Sequence, residues 1–353
     1  MFYHGGLPSE AQGRDGGGLR AYVVTVVVVD ALLAAAGFIY GSQELISPAV
    51  STPIIIAFLV QAAMFLLPGF PNARRRVEQA FAPKALATLL VAAGIAPYLI
   101  FSIPLGLFSA KHFLGLLALA AAAPTLFVLA PANKRGLTWQ DVVAIVLLAA
   151  PVISGLTTFL IDAYRGPLAL PEDVRRLDVL GKLMVISVGA MAFLSLRGLA
   201  DVDFRFFPSW KDLRTGGKHF LYYLPIGVPL SLATGLVEWA PRETLDWSLA
   251  AEFAGTALGI FFATALGEEL CFRGILQNLL EKTLRNPLAA QAIAAAAFGA
   301  VHLSFRFYPN WGFALASMVA GWFYGNAFRE GRSVGAARAT HTLVVLSWTF
   351  LFR

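Results

Sequence analysis

The chain has 353 residues, 58% of them hydrophobic and only 14% charged, with a mean hydropathy of +0.70. Soluble domains carry about 25% charged residues, so this composition excludes an ordinary soluble protein and indicates a polytopic membrane protein. The net charge of +6 does not argue for nucleic acid, because Lys and Arg sit in short stretches between apolar runs, as membrane proteins arrange them.

Residues 1–20 are Gly-rich and polar and read as a disordered tail. The apolar run from Ala21 ends in a cleavage-like Ala34-Ala35-Ala36. Asp30 within it and the long lead before it argue for a retained crossing. A bilayer core of about 30 Å needs roughly 20 apolar residues in a helix. Such runs follow at 21–40, 52–69, 85–108, 112–131, 141–162, 180–197, 219–239, 249–280, 288–305, 311–328 and 333–352. The expected fold is therefore an all-α polytopic membrane protein, a bundle of about eleven transmembrane helices. Pro68, Pro71, Pro131, Pro208, Pro241 and Pro287 punctuate the gaps, where a missing N–H does no harm. Pro97, Pro104, Pro124, Pro151, Pro225 and Pro229 fall inside runs.

Basic residues fall mainly in the even-numbered loops: Arg74, Arg75, Arg76 and Lys84; Lys134 and Arg135; Arg197, Arg205, Lys211, Arg214 and Lys218; Lys282 and Arg285; Arg329, Arg332 and Arg338. This bias predicts a cytoplasmic N-terminus and a bacterial inner-membrane location. Asp30, Glu44, Gln61, Asp162, Glu238 and Glu252 are scattered and read as interfacial or bundle-facing. No internal repeat is evident. Cys271 stands alone, which excludes an intramolecular disulfide and leaves it as a packing residue. The chain divides by pattern into the tail 1–20, membrane helices 21–248 acting as scaffold or access, and a core at 249–353.

That core carries the chemistry. Glu268-Glu269 and Arg273 interrupt an apolar run, and ionisable groups in a membrane helix are costly and usually functional. Glu269 and Arg273 are i,i+4 in the favourable order and should pair. Glu268 is rotated about 100° away and left to face a cavity as a proton acceptor. His302 and His341 follow on two later apolar segments, with Phe298 one turn before His302. Heights along the helices, at about 1.5 Å per residue, bring Glu268 and His302 level and leave His341 shallower.

Glu268-Glu269-x-x-x-Arg273, Phe298-x-x-x-His302 and His341 on a final helix resemble the CAAX prenyl protease and bacteriocin-processing family of intramembrane endopeptidases, also called CPBP or Abi, over residues 249–350. The resemblance implies a peptidase in which Glu268 activates water with help from His302. Glu269 and Arg273 support that geometry, and His341 stabilises the oxyanion. Its last motif usually has an Asn four residues after the His; here that position is Val345, and Asn326 on the preceding helix is the candidate substitute. No cofactor is needed if the enzyme is of the glutamate type; a metallo-endopeptidase would hold zinc on Glu268, His302 and His341. The zincin string is absent, and a Glu acting as base is not a simple metal ligand. Expected partners are a protein or peptide substrate, lipid-modified or membrane-anchored, and membrane lipid, with no nucleic acid. The alternatives are a silent immunity or scaffold protein of the same fold and a proton- or cation-coupled transporter.

Overall fold

The computed structural model describes residues 15–132, 135–153, 156–175, 177–199, 202, 204–241 and 246–352. Among them every regular element is helical, with α1 at Asp15–Gln43, α2 at Pro48–Leu66, α3 at Pro71–Ala80, α4 at Pro83–Ser102 and α5 at Ala110–Leu129. There follow α6 at Trp139–Ile153, α7 at Leu156–Ala163, α8 at Glu172–Arg175, α9 at Asp178–Met191 and α10 at Trp210–Ala233. The segment 247–284 is one long helical stretch made of α11 (Trp247–Gly259), α12 (Ala265–Glu269) and α13 (Asn278–Leu284), joined by π-helical turns at Ile260–Thr264 and Leu270–Gln277. The chain closes with α14 (Pro287–Val301), α15 (Trp311–Gly331) and α16 (Val334–Leu351).

Among the described residues helices occupy the apolar stretches singled out in the sequence, and the count of about eleven crossings is not confirmed. Among the described residues, six helical stretches are long and apolar enough to cross a membrane: Gly18–Gln43, Pro48–Gly69, Pro83–Ser102, Ala110–Leu129, Asp178–Leu196 and Trp247–Leu284. The physical reason is length and polarity. Pro287–Val301 is apolar but short, and α10, α15 and α16 carry Lys, Arg, Glu and His within their turns. Of the expected tail, residues 1–14 lie outside the described residues, and Asp15–Arg20 already belong to α1. Pro104 ends up in a turn after α4, whereas Pro97, Pro124, Pro225 and Pro229 are carried inside helices.

The chain forms two compact units, Met1–Val128 with Thr158–Leu196, and Leu129–Thr157 with Arg197–Arg353. In the first, α2 packs on α1, α4 and α9. Gln61, fully buried, donates to Ser187 Oγ at 3.3 Å, so this mid-helix amide is a structural tie between α2 and α9. In the second, α10, α14, α15 and α16 pack on one another. Capping fixes where these helices start. Ser209 and Asp212 form a reciprocal capping box on α10, and Asp246, Asn286, Asn310 and Ser333 each accept a backbone N–H at the starts of α11, α14, α15 and α16.

Three basic residues assigned to loops by sequence are interior. Arg197 pairs with the fully buried Asp141 at 2.7 Å, Arg74 pairs with Glu78 at 3.3 Å, and Arg338 is fully buried inside α16. Lys134, Arg176 and Arg242 lie outside the described residues.

Candidate active site

The five polar residues singled out by sequence all fall in the second unit. Glu268 and Glu269 end α12 between the two π-helical turns, a distortion that recurs at functional sites. A π turn frees backbone carbonyls, and here Phe261 O is claimed by Arg338, from Nε at 3.2 Å and Nη2 at 3.0 Å. The same guanidinium donates to the carbonyls of Arg205 and Phe206, each at 3.1 Å. Its planar fork thus ties the distorted stretch to α16, the helix that carries His341.

Neighbouring in sequence, the two glutamates differ in exposure: the Glu269 side chain is 0% exposed and that of Glu268 31%. Glu269 is ion-paired with Arg273, Nε to Oε2 at 3.2 Å, and its Oε1 meets His341 Nδ1 at 2.8 Å. Arg273 also donates to Gly321 O at 2.8 Å and lies over the rings of Phe298 and Tyr324, at 4.6 and 5.3 Å. A Cβ on Gly321 would stand 2.9 Å from the guanidinium, so the close approach requires glycine. The expected i,i+4 pair is present, and it serves the imidazole as well.

His341 is clamped in three ways. Its Nδ1 faces Glu269, its ring stacks on Tyr324 at 4.6 Å and 12°, and the Phe298 ring meets it edge-on at 5.9 Å. An ionised carboxylate only accepts, so the proton sits on Nδ1 and Nε2 is turned toward Glu268 Oε2, 3.9 Å away. That gap is too long for a direct hydrogen bond and of a length that one bridging water could span. Glu268 Oε2 is buried and has no protein partner.

His302 sits at the C-terminal cap of α14. Its Nδ1 lies 2.7 Å from Phe298 O, which can only accept, so this nitrogen carries the proton and Nε2 keeps its lone pair. The ring is 4.6 Å from Phe298 and 5.5 Å from Phe313. The structure thus joins Glu269, Arg273 and His341, sets Glu268 Oε2 3.9 Å from His341, and places His302 against Phe298, whose ring also meets Arg273 and His341.

The shallow height expected for His341 has a simple resolution. Val334 lies against Gly274, where a Cβ would meet it at 3.1 Å, so α16 starts beside a residue ten positions short of the end of α13. Asn326 does not fill the place of the missing amide: its Oδ1 accepts from Gln291 Nε2 at 3.0 Å, in a network with Arg329. Among the described residues no group of three His, Cys, Asp or Glu side chains is placed to hold a metal ion. The metallo-endopeptidase expectation therefore finds no support in the arrangement.

Sequence reasoning missed Tyr324 and Arg338. Nothing local distinguishes Tyr324 from other buried aromatics. Arg338 did carry a signal, a guanidinium four residues into an apolar helix, the same anomaly that exposed Arg273.

Fold and composition define an all-helical integral membrane protein with a carboxylate–imidazole cluster in its second unit. Residues 250–347 match the family model described as Rce1-like, type II CAAX prenyl endopeptidase, in keeping with the resemblance carried by the Glu-Glu-Arg and His motifs. All five polar residues of the cluster fall within the matched stretch. No curated protein and no solved structure matches the chain.

Proposed function

We propose that the protein is an intramembrane endopeptidase in which Glu268 activates water for peptide-bond hydrolysis. The observation that carries this reading is the 3.9 Å gap between the unpartnered Glu268 Oε2 and His341 Nε2, with Glu269 fixing the far side of the imidazole. The family match over 250–347 supports a peptidase.

In this mechanism Glu268 accepts a proton from the water as its oxygen attacks the carbonyl carbon. The negative charge on the carbonyl oxygen is met by Nε2–H of His341 once that nitrogen has taken up a proton from solvent, with Nδ1–H held on Glu269 and His302 Nε2 assisting in water placement. Preorganised donors in a dry site are the main source of such acceleration. Collapse of the tetrahedral species breaks the C–N bond, and Glu268 returns its proton to the departing amine. Arg273 pairs with Glu269, which in turn holds Nδ1 of His341. Every step uses water and side chains of this chain alone.

The substrate is a protein or peptide, lipid-modified or membrane-anchored, reached within lipid. A cytoplasmic N-terminus in a bacterial inner membrane completes the reading. The test is a comparison of membrane-protein termini between cells making the wild type and cells making Glu268→Gln. Shortened termini should vanish in the variant, with cleavage reduced at least about a hundredfold, the usual weight of a general base. Processing by Glu268→Gln at the wild-type rate would end this reading.

A further inference from the structure

Three membrane-length helices of the first unit end close together: α1 becomes apolar at Gly18, α2 and its last turn stop at Gly69, and α4 begins at Pro83. Between the last two lies α3, ten residues reading PNARRRVEQA, too short and too polar to be a crossing. Its placement is well defined. Ala73 is buried, Val77 packs against the cluster of Leu86, Leu90 and Met191, and Asn72 lies against Gly18 of α1. Tyr22 meets Phe70 edge-on at 5.5 Å and donates to Ala63 O at 3.0 Å, which ties α1 to the same turn. With three spans ending around it, α3 stands where hydrocarbon gives way to lipid headgroups.

Arg20, Arg75, Arg76 and Lys84 are exposed on these segments, while the stretch 67–88 holds a single carboxylate, Glu78. Arg74 differs from its neighbours. It is only 7% exposed, and its Nε and Nη1 are buried without a hydrogen bond. Glu78, one turn on, lies 3.3 Å from Nε, but its Oε1 is likewise buried and unbonded, so the pair is matched in charge and misaligned as a hydrogen bond. Burial lowers the Arg74 pKa from its ordinary value, with Glu78 opposing and Arg75 adding to the fall. A planar fork of five N–H donors in that position is costly until several acceptor oxygens face it. A phosphodiester offers two unesterified oxygens in the geometry that a guanidinium binds. At this level of a membrane protein the phosphate within reach belongs to a lipid. Turns rich in Lys and Arg favour the cytoplasmic side, and basic pockets there hold anionic headgroups.

We propose that α3, with the adjoining ends of α1 and α4, binds the phosphate of an anionic phospholipid, held by Arg74 and surrounded by Arg20, Arg75, Arg76 and Lys84. The site belongs to the first unit and lies outside the matched stretch 250–347, so it stands whether or not the peptidase reading does. Glu78 occupies part of the guanidinium when no lipid is bound.

The test uses the full chain purified in detergent and titrated with phosphatidylglycerol or phosphatidylcholine, with bound lipid counted by native mass spectrometry. The wild type should retain phosphatidylglycerol in clear preference to phosphatidylcholine; equal retention of the two overturns the inference. Arg74→Lys keeps the charge and removes the planar fork. It should lose about fivefold in phosphatidylglycerol affinity, the weight of one basic residue at a lipid surface. Undiminished affinity in Arg74→Lys means diffuse attraction only and overturns the site. Should that variant not fold, the exposed pair Arg75→Gln with Arg76→Gln takes its place, with an expected loss of about twentyfold. No loss there overturns the inference as well. Millimolar inorganic phosphate separates the two sources of the anion. Phosphatidylglycerol should stay bound in its presence, and displacement by phosphate alone overturns the assignment to lipid.

Discussion

Glu269 is held by Arg273 and His341 at zero exposure, and its removal should be felt first as lost stability. Taking one partner from a buried ion pair leaves the other charge uncompensated, at about 3–5 kcal/mol. Glu269→Ala should therefore lower the detergent-solubilised melting temperature sharply, whereas Glu268→Gln, at a partly exposed position, should leave it nearly unchanged. Equal melting of the two variants would contradict the division of labour between the neighbours. Val345 stands four residues after His341, where the resembled family places an amide donor. Restoring one with Val345→Asn is expected to raise kcat, by up to about a hundredfold if the carbamoyl group reaches the oxyanion. An unchanged kcat in a folded variant would show that the place is already filled. At this scale the sequence made the Glu269–Arg273 pair legible, because a four-residue helical spacing is a local fact. The Glu269–His341 bond was not legible, since 72 residues separate the two and only tertiary packing joins them.

The π-helical turns around Glu268-Glu269 are the feature of the elements that periodicity could not reveal. A run of apolar residues looks the same whether its carbonyls bond four or five positions on. What marks the distortion is its remedy, Arg338 at the Phe261 carbonyl. Arg338→Met should preserve volume while orphaning buried carbonyls, each at about 1–3 kcal/mol. The expected outcome is a lower melting temperature together with lost cleavage, because the carboxylates and His341 are registered through that contact. The starts of α10, α11, α14, α15 and α16 are fixed by the caps Ser209, Asp246, Asn286, Asn310 and Ser333, local signals that apolar runs alone do not use. Where α10 meets α15, Lys218 donates to Glu330 and holds its carboxyl below the usual carboxylate range, with a lesser contribution from His219. A depressed folded-state value means stability that is present above the ordinary carboxylate pKa and lost as pH falls through the depressed one. Acidification should therefore lower the melting temperature of the wild type slightly more than that of Glu330→Gln. The difference is small because the pair is solvent-exposed.

At the scale of the molecule, the matched stretch 250–347 is not self-sufficient. Arg338 leans on the carbonyls of Arg205 and Phe206, and Thr283 Oγ1 accepts from Leu137 N of a segment far earlier in the chain. A fragment limited to 250–347 is expected to be protease-sensitive and inactive in lipid, and a folded, cleaving fragment would refute the dependence. The number of crossings was not legible, because apolar content alone does not distinguish a spanning helix from a short one packed between neighbours, as α14 is between α13 and α15. One arrangement bears on how such a protein can be made at all. Glu269 and Arg273 lie a turn apart on a single segment, so acid and base reach the lipid together and neutralise each other before any other helix arrives. Had the counter-charge resided on a distant helix, each segment would have entered hydrocarbon as a bare ion. Biogenesis can thus proceed segment by segment, with the imidazole of the last helix joining a centre whose charge is already balanced.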